Sequence, residues 1–152
     1  MIASPKSVGQ ILLVDDDELI CRSLRHYLVT RGYRVDVAAD AAAADALMLA
    51  SSYSVIVVDP YLTAGVHRDN AELLERVCEL QSGATIIVVT SYDSPALQQI
   101  AAKCGVVALL SKPQSVVSLE RHIRAAMPPH AAPSTSEQNV VSTHPSAWKD
   151  RQ

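Results

Sequence analysis

The sequence predicts a doubly wound α/β fold, a five-stranded parallel sheet covered by helices on both faces. Three observations carry this. Between residues 10 and 127, short apolar runs alternate with segments whose apolar residues recur at helical spacing. Most of the runs are aliphatic throughout rather than alternating, as in strands buried on both faces. Polar residues interrupt them at one end only, the end at which such sheets bind ligands.

The elements follow in order. Ile11, Leu12, Leu13 and Val14 form the first strand, ending in acids. Residues 18–30 place Leu19, Ile20, Leu24, Tyr27 and Leu28 at helical spacing, and Gly32 suits the helix end. Residues 33–38 alternate polar and apolar as an edge strand does. Asp40 can cap an Ala-rich helix over 41–50, whose alanines signify helix propensity and no chemistry. Val55 to Val58 is a buried strand; residues 70–81 form a helix with Leu73, Leu74, Val77 and Leu80 on one face. Ile86 to Val89 is the fourth strand, and a helix over 95–103 starts on Pro95, where proline suits the first turn. Residues 106–110 make the fifth strand and 115–127 the fifth helix.

Composition narrows the function. Of 152 residues, 49% are hydrophobic and 19% charged, the balance of one soluble globular domain. With 4% aromatics and no Phe, the core must be built from Val, Ile, Leu and Ala. A net charge of −3 argues against bulk nucleic-acid binding. No apolar run approaches the roughly 18–20 residues that span a bilayer, and residues 1–9, an N-terminal extension, lack a signal-peptide core. Nucleic acid and membrane are therefore not expected as partners, and the expected compartment is the cytoplasm. Cys21, Cys78 and Cys104 are odd in number and far apart, so they read as three reduced thiols. Residues 128–152 hold four prolines among Ser, Thr, His and Gln, the composition of a linker or tail. Its few sizeable apolar groups, Val140, Val141 and Trp148, could anchor it on its own domain or on a second protomer, giving a homodimer.

The chemistry lies where the strands end. Val14 is followed by Asp15, Asp16 and Asp17, Val58 by Asp59, Val89 by Thr90 and Ser91, and the fifth strand by Ser111, Lys112 and Pro113. At the carboxyl edge of a parallel sheet these carboxylates, a hydroxyl and an ammonium would converge. Clustered carboxylates repel unless a cation lies between them, and hard oxygen ligands with few protein contacts suit Mg²⁺. One carboxylate can then attack phosphorus and form an acyl phosphate, with Thr90 and Lys112 contacting the phosphoryl oxygens. Asp17 reads better as a first-turn helix acid than as a ligand. Tyr61 and Tyr92 flank the site or are simply exposed aromatics. His26, His67, His122, His130 and His144 lack ligand spacing and read as surface residues.

These four segments resemble the signature set of two-component receiver domains, in the family's order and spacing, over residues 9–127. The resemblance implies a flavodoxin-like (βα)5 sandwich, strand order 2-1-3-4-5, with a receiver domain over 10–127. It implies Asp59 as phosphoacceptor, and Mg²⁺ (or Mn²⁺) held by Asp16, Asp59 and the backbone carbonyl of Tyr61, with Asp15 acting mainly through water. Thr90 would report the phosphoryl group, Lys112 would pair with it, and Ser91 would leave the site open. A sensor histidine kinase or histidine phosphotransferase would be the donor. The chain would catalyse only its own phosphorylation and dephosphorylation. Without an effector domain it would act as relay intermediate, phosphate sink or binder of a separate output protein.

The sequence departs from the family at three places. Thr63 stands where proline is usual, the stretch 63–70 with His67 and Arg68 runs longer than the family's loop, and Leu109 replaces the aromatic residue expected before the lysine. Thr90 can still move, but no Tyr or Phe ring at 109 can follow it. Two other functions compete. A receiver that binds partners without phosphorylation is disfavoured because the core site residues are all present. A haloacid-dehalogenase-type phosphatase would need a second Asp where Tyr61 stands.

Overall fold

The computed structural model describes residues 9–62 and 72–128. Five strands, β1 (Gln10–Val14), β2 (Arg34–Ala38), β3 (Val55–Val58), β4 (Thr85–Thr90) and β5 (Ala108–Ser111), form one parallel sheet in the order 2-1-3-4-5. They alternate with α1 (Glu18–Thr30), α2 (Ala41–Ala50), α3 (Glu72–Leu80), α4 (Pro95–Cys104) and α5 (Val116–Ala126).

Side-chain alternation along each strand divides the core. Leu12, Val14, Ile56, Val58, Ile86 and Val88 face one side, where they pack on Ala44 and Met48 of α2, Leu74 and Val77 of α3 and Leu97 of α4. Ile11, Leu13, Val55, Val57, Ile87 and Val89 face the other, against Leu24 and Leu28 of α1 and Leu119 and Ile123 of α5. β1 and β3 are buried at nearly every position because both their faces are covered, which is why they read as continuous apolar runs. Each such Leu, Ile or Val removed from water contributes about 1.5–3 kcal/mol before entropy is charged against it.

The helix ends obey local chemistry. Asp17 is the N-cap of α1, accepting from the Ile20 N–H at 3.2 Å, so its role is capping. Asp40 caps α2 through the Ala43 N–H at 2.7 Å, Ser94 caps α4 and Ser115 caps α5. Gly105 ends α4 at φ +68°, a conformation glycine adopts without a Cβ penalty.

One expectation changes. Cys78, near the end of α3, and Cys104, the last residue of α4, are joined as a disulfide, with Cα atoms 5.8 Å apart. A separation of 26 residues hides what the packing of α3 beside α4 brings together; Cys21 alone is free, and it is buried. His26 is exposed on α1 and His122 is partly exposed on α5. Leu109 is only half-buried because β5 lies at the sheet edge. No helix among the described residues is long and apolar enough to cross a membrane. The expectations for the stretch 63–70 and for the tail beyond residue 128, with Val140, Val141 and Trp148, lie outside the described residues.

Candidate functional site

The sheet register sets the site. Val14 pairs with Val58 and Thr90 with Ser111, so the residues after β1, β3 and β5 emerge side by side at the carboxyl edge. The backbone ladder runs one residue beyond the strands. The Asp15 N–H donates to the Ala38 carbonyl at 3.1 Å, that of Asp59 to Val14 at 2.8 Å and that of Lys112 to Thr90 at 2.9 Å. These bonds fix the Cα positions of three polar residues on a rigid frame rather than on a loop.

Their side chains meet at Lys112. Its Nζ lies 2.6 Å from Asp15 Oδ2 and 2.9 Å from Asp59 Oδ2. All three are largely shielded: the side chains are 15% exposed for Lys112, 13% for Asp15 and 8% for Asp59. Burial pulls the Lys112 ammonium towards deprotonation, but hydrogen bonds and charge from Asp15 and Asp59 reverse this, and the net direction is up. Burial also raises Asp15 above the usual carboxylate range; Lys112 and the Asp17 N–H oppose that, while the Asp59 charge adds to it. The two directions agree physically, because one ammonium is shared between two anions and each anion receives only part of it.

Asp59 is further oriented by the Tyr61 N–H, which donates to its Oδ1 at 3.0 Å. Thr90 is buried, and its Oγ1 accepts from the Tyr92 N–H at 3.1 Å and lies 3.3 Å from the Tyr92 carbonyl. Tyr61 and Tyr92 meet edge to face with ring centroids 5.4 Å apart, and the Tyr61 hydroxyl lies 3.3 Å from Ser94 Oγ. Ser94 in turn caps α4, so a chain of contacts leads from Asp59 to the start of that helix. Ser94 carries a local signal of its own, since Ser before Pro is a recognisable helix start, but its contact with Tyr61 has none. The sequence places Tyr61 and Tyr92 near the site, but their mutual contact depends on how the ends of β3 and β4 lie together. The Lys112–Pro113 peptide is cis.

On the other side of the site, Ile20, Cys21, Leu24 and Gln114 help line a small cavity reaching Asp15, Asp59 and Lys112. Burial, reinforced by the Asp15 and Asp17 carboxylates, pushes the Cys21 thiol up to about 12. It is no nucleophile at neutral pH.

For a divalent cation, the donor chemistry fits: hard carboxylate oxygens of Asp15 and Asp59 converge on one point, with Asp16 half-buried next in the chain. The ammonium of Lys112 takes that point here. Among the described residues no three His, Cys, Asp or Glu side chains are gathered at metal-holding positions.

The family description "Response regulator receiver domain" matches residues 11–124. The chain belongs to the response regulator receiver domain family and is homologous to two-component regulators. It is similar to the transcriptional regulatory protein PmrA of Pectobacterium parmentieri, 28% identical over 86% of this chain and 58% of that one. It also resembles the alginate biosynthesis transcriptional regulatory protein AlgB of Pseudomonas syringae, 32% identical over 76% of this chain and 25% of that one. The chain thus spans between a quarter and somewhat over half of these relatives. Among solved structures, a CheY-like receiver domain protein from Methanospirillum hungatei superposes with a TM-score of 0.70 and 30% identity, over 78% of this chain and 93% of that one. A response regulator from Burkholderia pseudomallei, determined with a phosphorylated aspartic acid, calcium ion and citrate, gives 0.66 and 31%, over 88% of this chain and 72% of that one.

Proposed function

We propose that Asp59 is the phosphoacceptor, taking a phosphoryl group from a phosphohistidine of a sensor histidine kinase or histidine phosphotransferase. A carboxylate oxygen of Asp59 attacks phosphorus, the P–N bond breaks, and the histidine nitrogen leaves with the electron pair. The observation that carries this is the Lys112 ammonium held against Asp59 Oδ2, where it can follow negative charge onto a phosphoryl oxygen. Thr90 supplies a hydroxyl donor from the adjacent strand end, having only a weak 3.3 Å contact to exchange for it. Asp16, Asp59 and the Tyr61 carbonyl would hold Mg²⁺ or Mn²⁺, with Asp15 acting through water, and the ion would neutralise charge on the transferring group. Water attack on the acyl phosphate at the same site reverses the modification, so the chain catalyses only its own turnover. The acidic charge balance favours a relay step or contact with an output protein over direct binding of nucleic acid.

Acetyl phosphate labelling of the full chain tests this. With Mg²⁺, one base-labile phosphoryl group should appear by intact mass, and it should vanish in Asp59→Asn and on chelation. Undiminished labelling of Asp59→Asn would overturn the assignment. No labelling of the wild type by acetyl phosphate or by a phosphohistidine donor would instead mark a receiver that works without phosphorylation.

A further inference from the structure

Two half-buried cysteines stand apart from the phosphoryl site. Cys78 and Cys104 lie where the ends of α3 and α4 pack together, with Cα atoms 5.8 Å apart, inside the range that a disulfide spans without backbone movement. Both residues are only half-buried, whereas Cys21 is buried. Their position on the fold is informative. α4 touches the candidate site at its first turn, through Ser94 and Tyr61, and Cys104 is its last residue. A bond between Cys104 and Cys78 therefore ties down the end of α4 remote from the site.

We propose that Cys78 and Cys104 form a reversible redox site, a dithiol that a low-molecular-weight disulfide such as oxidised glutathione converts to the bond pinning α4 to α3. One protein thiolate attacks the small disulfide and releases one thiol. The second protein thiolate attacks the mixed disulfide and releases the other. Two protein thiols are oxidised, one small disulfide is reduced to two thiols, and no further oxidant is needed. In a reducing compartment, where protein disulfides are usually transient and sensory, the pair rests open and closes under oxidation. Closure removes open conformations of the 26-residue span between the two cysteines and so restrains local unfolding of α4. This is independent of the phosphoacceptor reading.

The test equilibrates the full chain in oxidised and in reduced glutathione and reads two quantities. Peptide mapping after acid quench and alkylation should find the peptides carrying Cys78 and Cys104 cross-linked in the oxidised sample only, with Cys21 still a thiol. Hydrogen exchange should show the amides at the end of α4 exchanging about tenfold more slowly in the oxidised sample, a difference that vanishes in Cys78→Ser. If Cys78→Ser does not fold, the oxidised and reduced wild type still supply the comparison. Cysteines carrying only separate glutathione adducts, a bond that reduced glutathione cannot open, or a cross-link without change in α4 exchange would each overturn the proposal.

Discussion

Lys112 lies between two carboxylates that would repel each other without it, so its removal exposes the cost of that arrangement. Lys112→Ala should lower stability by about 1–3 kcal/mol at pH 7, towards the low side of the range for broken buried pairs because the site opens on solvent. The Lys112 pKa is raised from 10.5 by folding, so its contribution is complete at neutral pH and is lost as pH rises through the higher folded value. At the acid end the deficit of Lys112→Ala should shrink as Asp15, already raised, takes up a proton. Urea titrations of both proteins at pH 7 and near pH 4.5 check this; an equal deficit at both would contradict it. Cys21 offers a second residue-scale expectation. Its thiol is held neutral up to about 12 against an ordinary 9.0, so between those values the unfolded chain ionises first and stability falls. At pH 8 iodoacetamide should label Cys21 only after denaturant is added. Rapid labelling of the native protein would show the thiol to be accessible after all.

At the scale of elements, α4 and β5 are the two whose packing beside the site can be probed directly. Ser94 both caps α4 and meets the Tyr61 hydroxyl, so Ser94→Ala should cost about 1 kcal/mol as a lost cap. Tyr61→Phe keeps the ring against Tyr92 and should cost about 0.5–1 kcal/mol, the net worth of one hydrogen bond. A double-mutant cycle in urea separates the two, and coupling near zero would mean that the hydroxyls do not interact in solution. On β5, Leu109 is half-buried, so Leu109→Ala should fall near or below the lower end of the roughly 2–5 kcal/mol expected of a sealed core leucine. Leu97→Ala, at a fully buried position of α4 itself, should lie well within that range. Comparable denaturation midpoints for the two variants would mean that β5 is covered in solution.

For the whole molecule, the order 2-1-3-4-5 puts β1, β3 and β4 inside the sheet and leaves β2 and β5 at its edges. Amides of Leu12, Ile56 and Val88, in the interior strands and with buried side chains, should open only in global unfolding. Those of β5 should exchange by smaller local openings, at rates higher by orders of magnitude. Residue-resolved hydrogen exchange decides this, and uniform protection across β3 and β5 would refute it. The same order brings the ends of β1, β3, β4 and β5 together, so Asp15 and Asp59 stand on interior strands while Lys112 follows the edge strand.

Much of this was legible from residues alone. Aliphatic runs had to be strands covered on both faces, and Asp15, Asp59, Thr90 and Lys112 had to fall at one edge, because parallel strands all end on the same side. Helix starts at Asp40 and Pro95 were legible because capping is local chemistry. Periodicity and local propensity act within one or two turns of chain, and they determined these features. Other features depend on residues distant in sequence: the sharing of Lys112 between Asp15 and Asp59, the meeting of Tyr61 with Tyr92 and Ser94, the half-exposure of Leu109, and the bond between Cys78 and Cys104. Only the packing of helices on a twisted sheet sets those distances, and no local pattern in the chain encodes them.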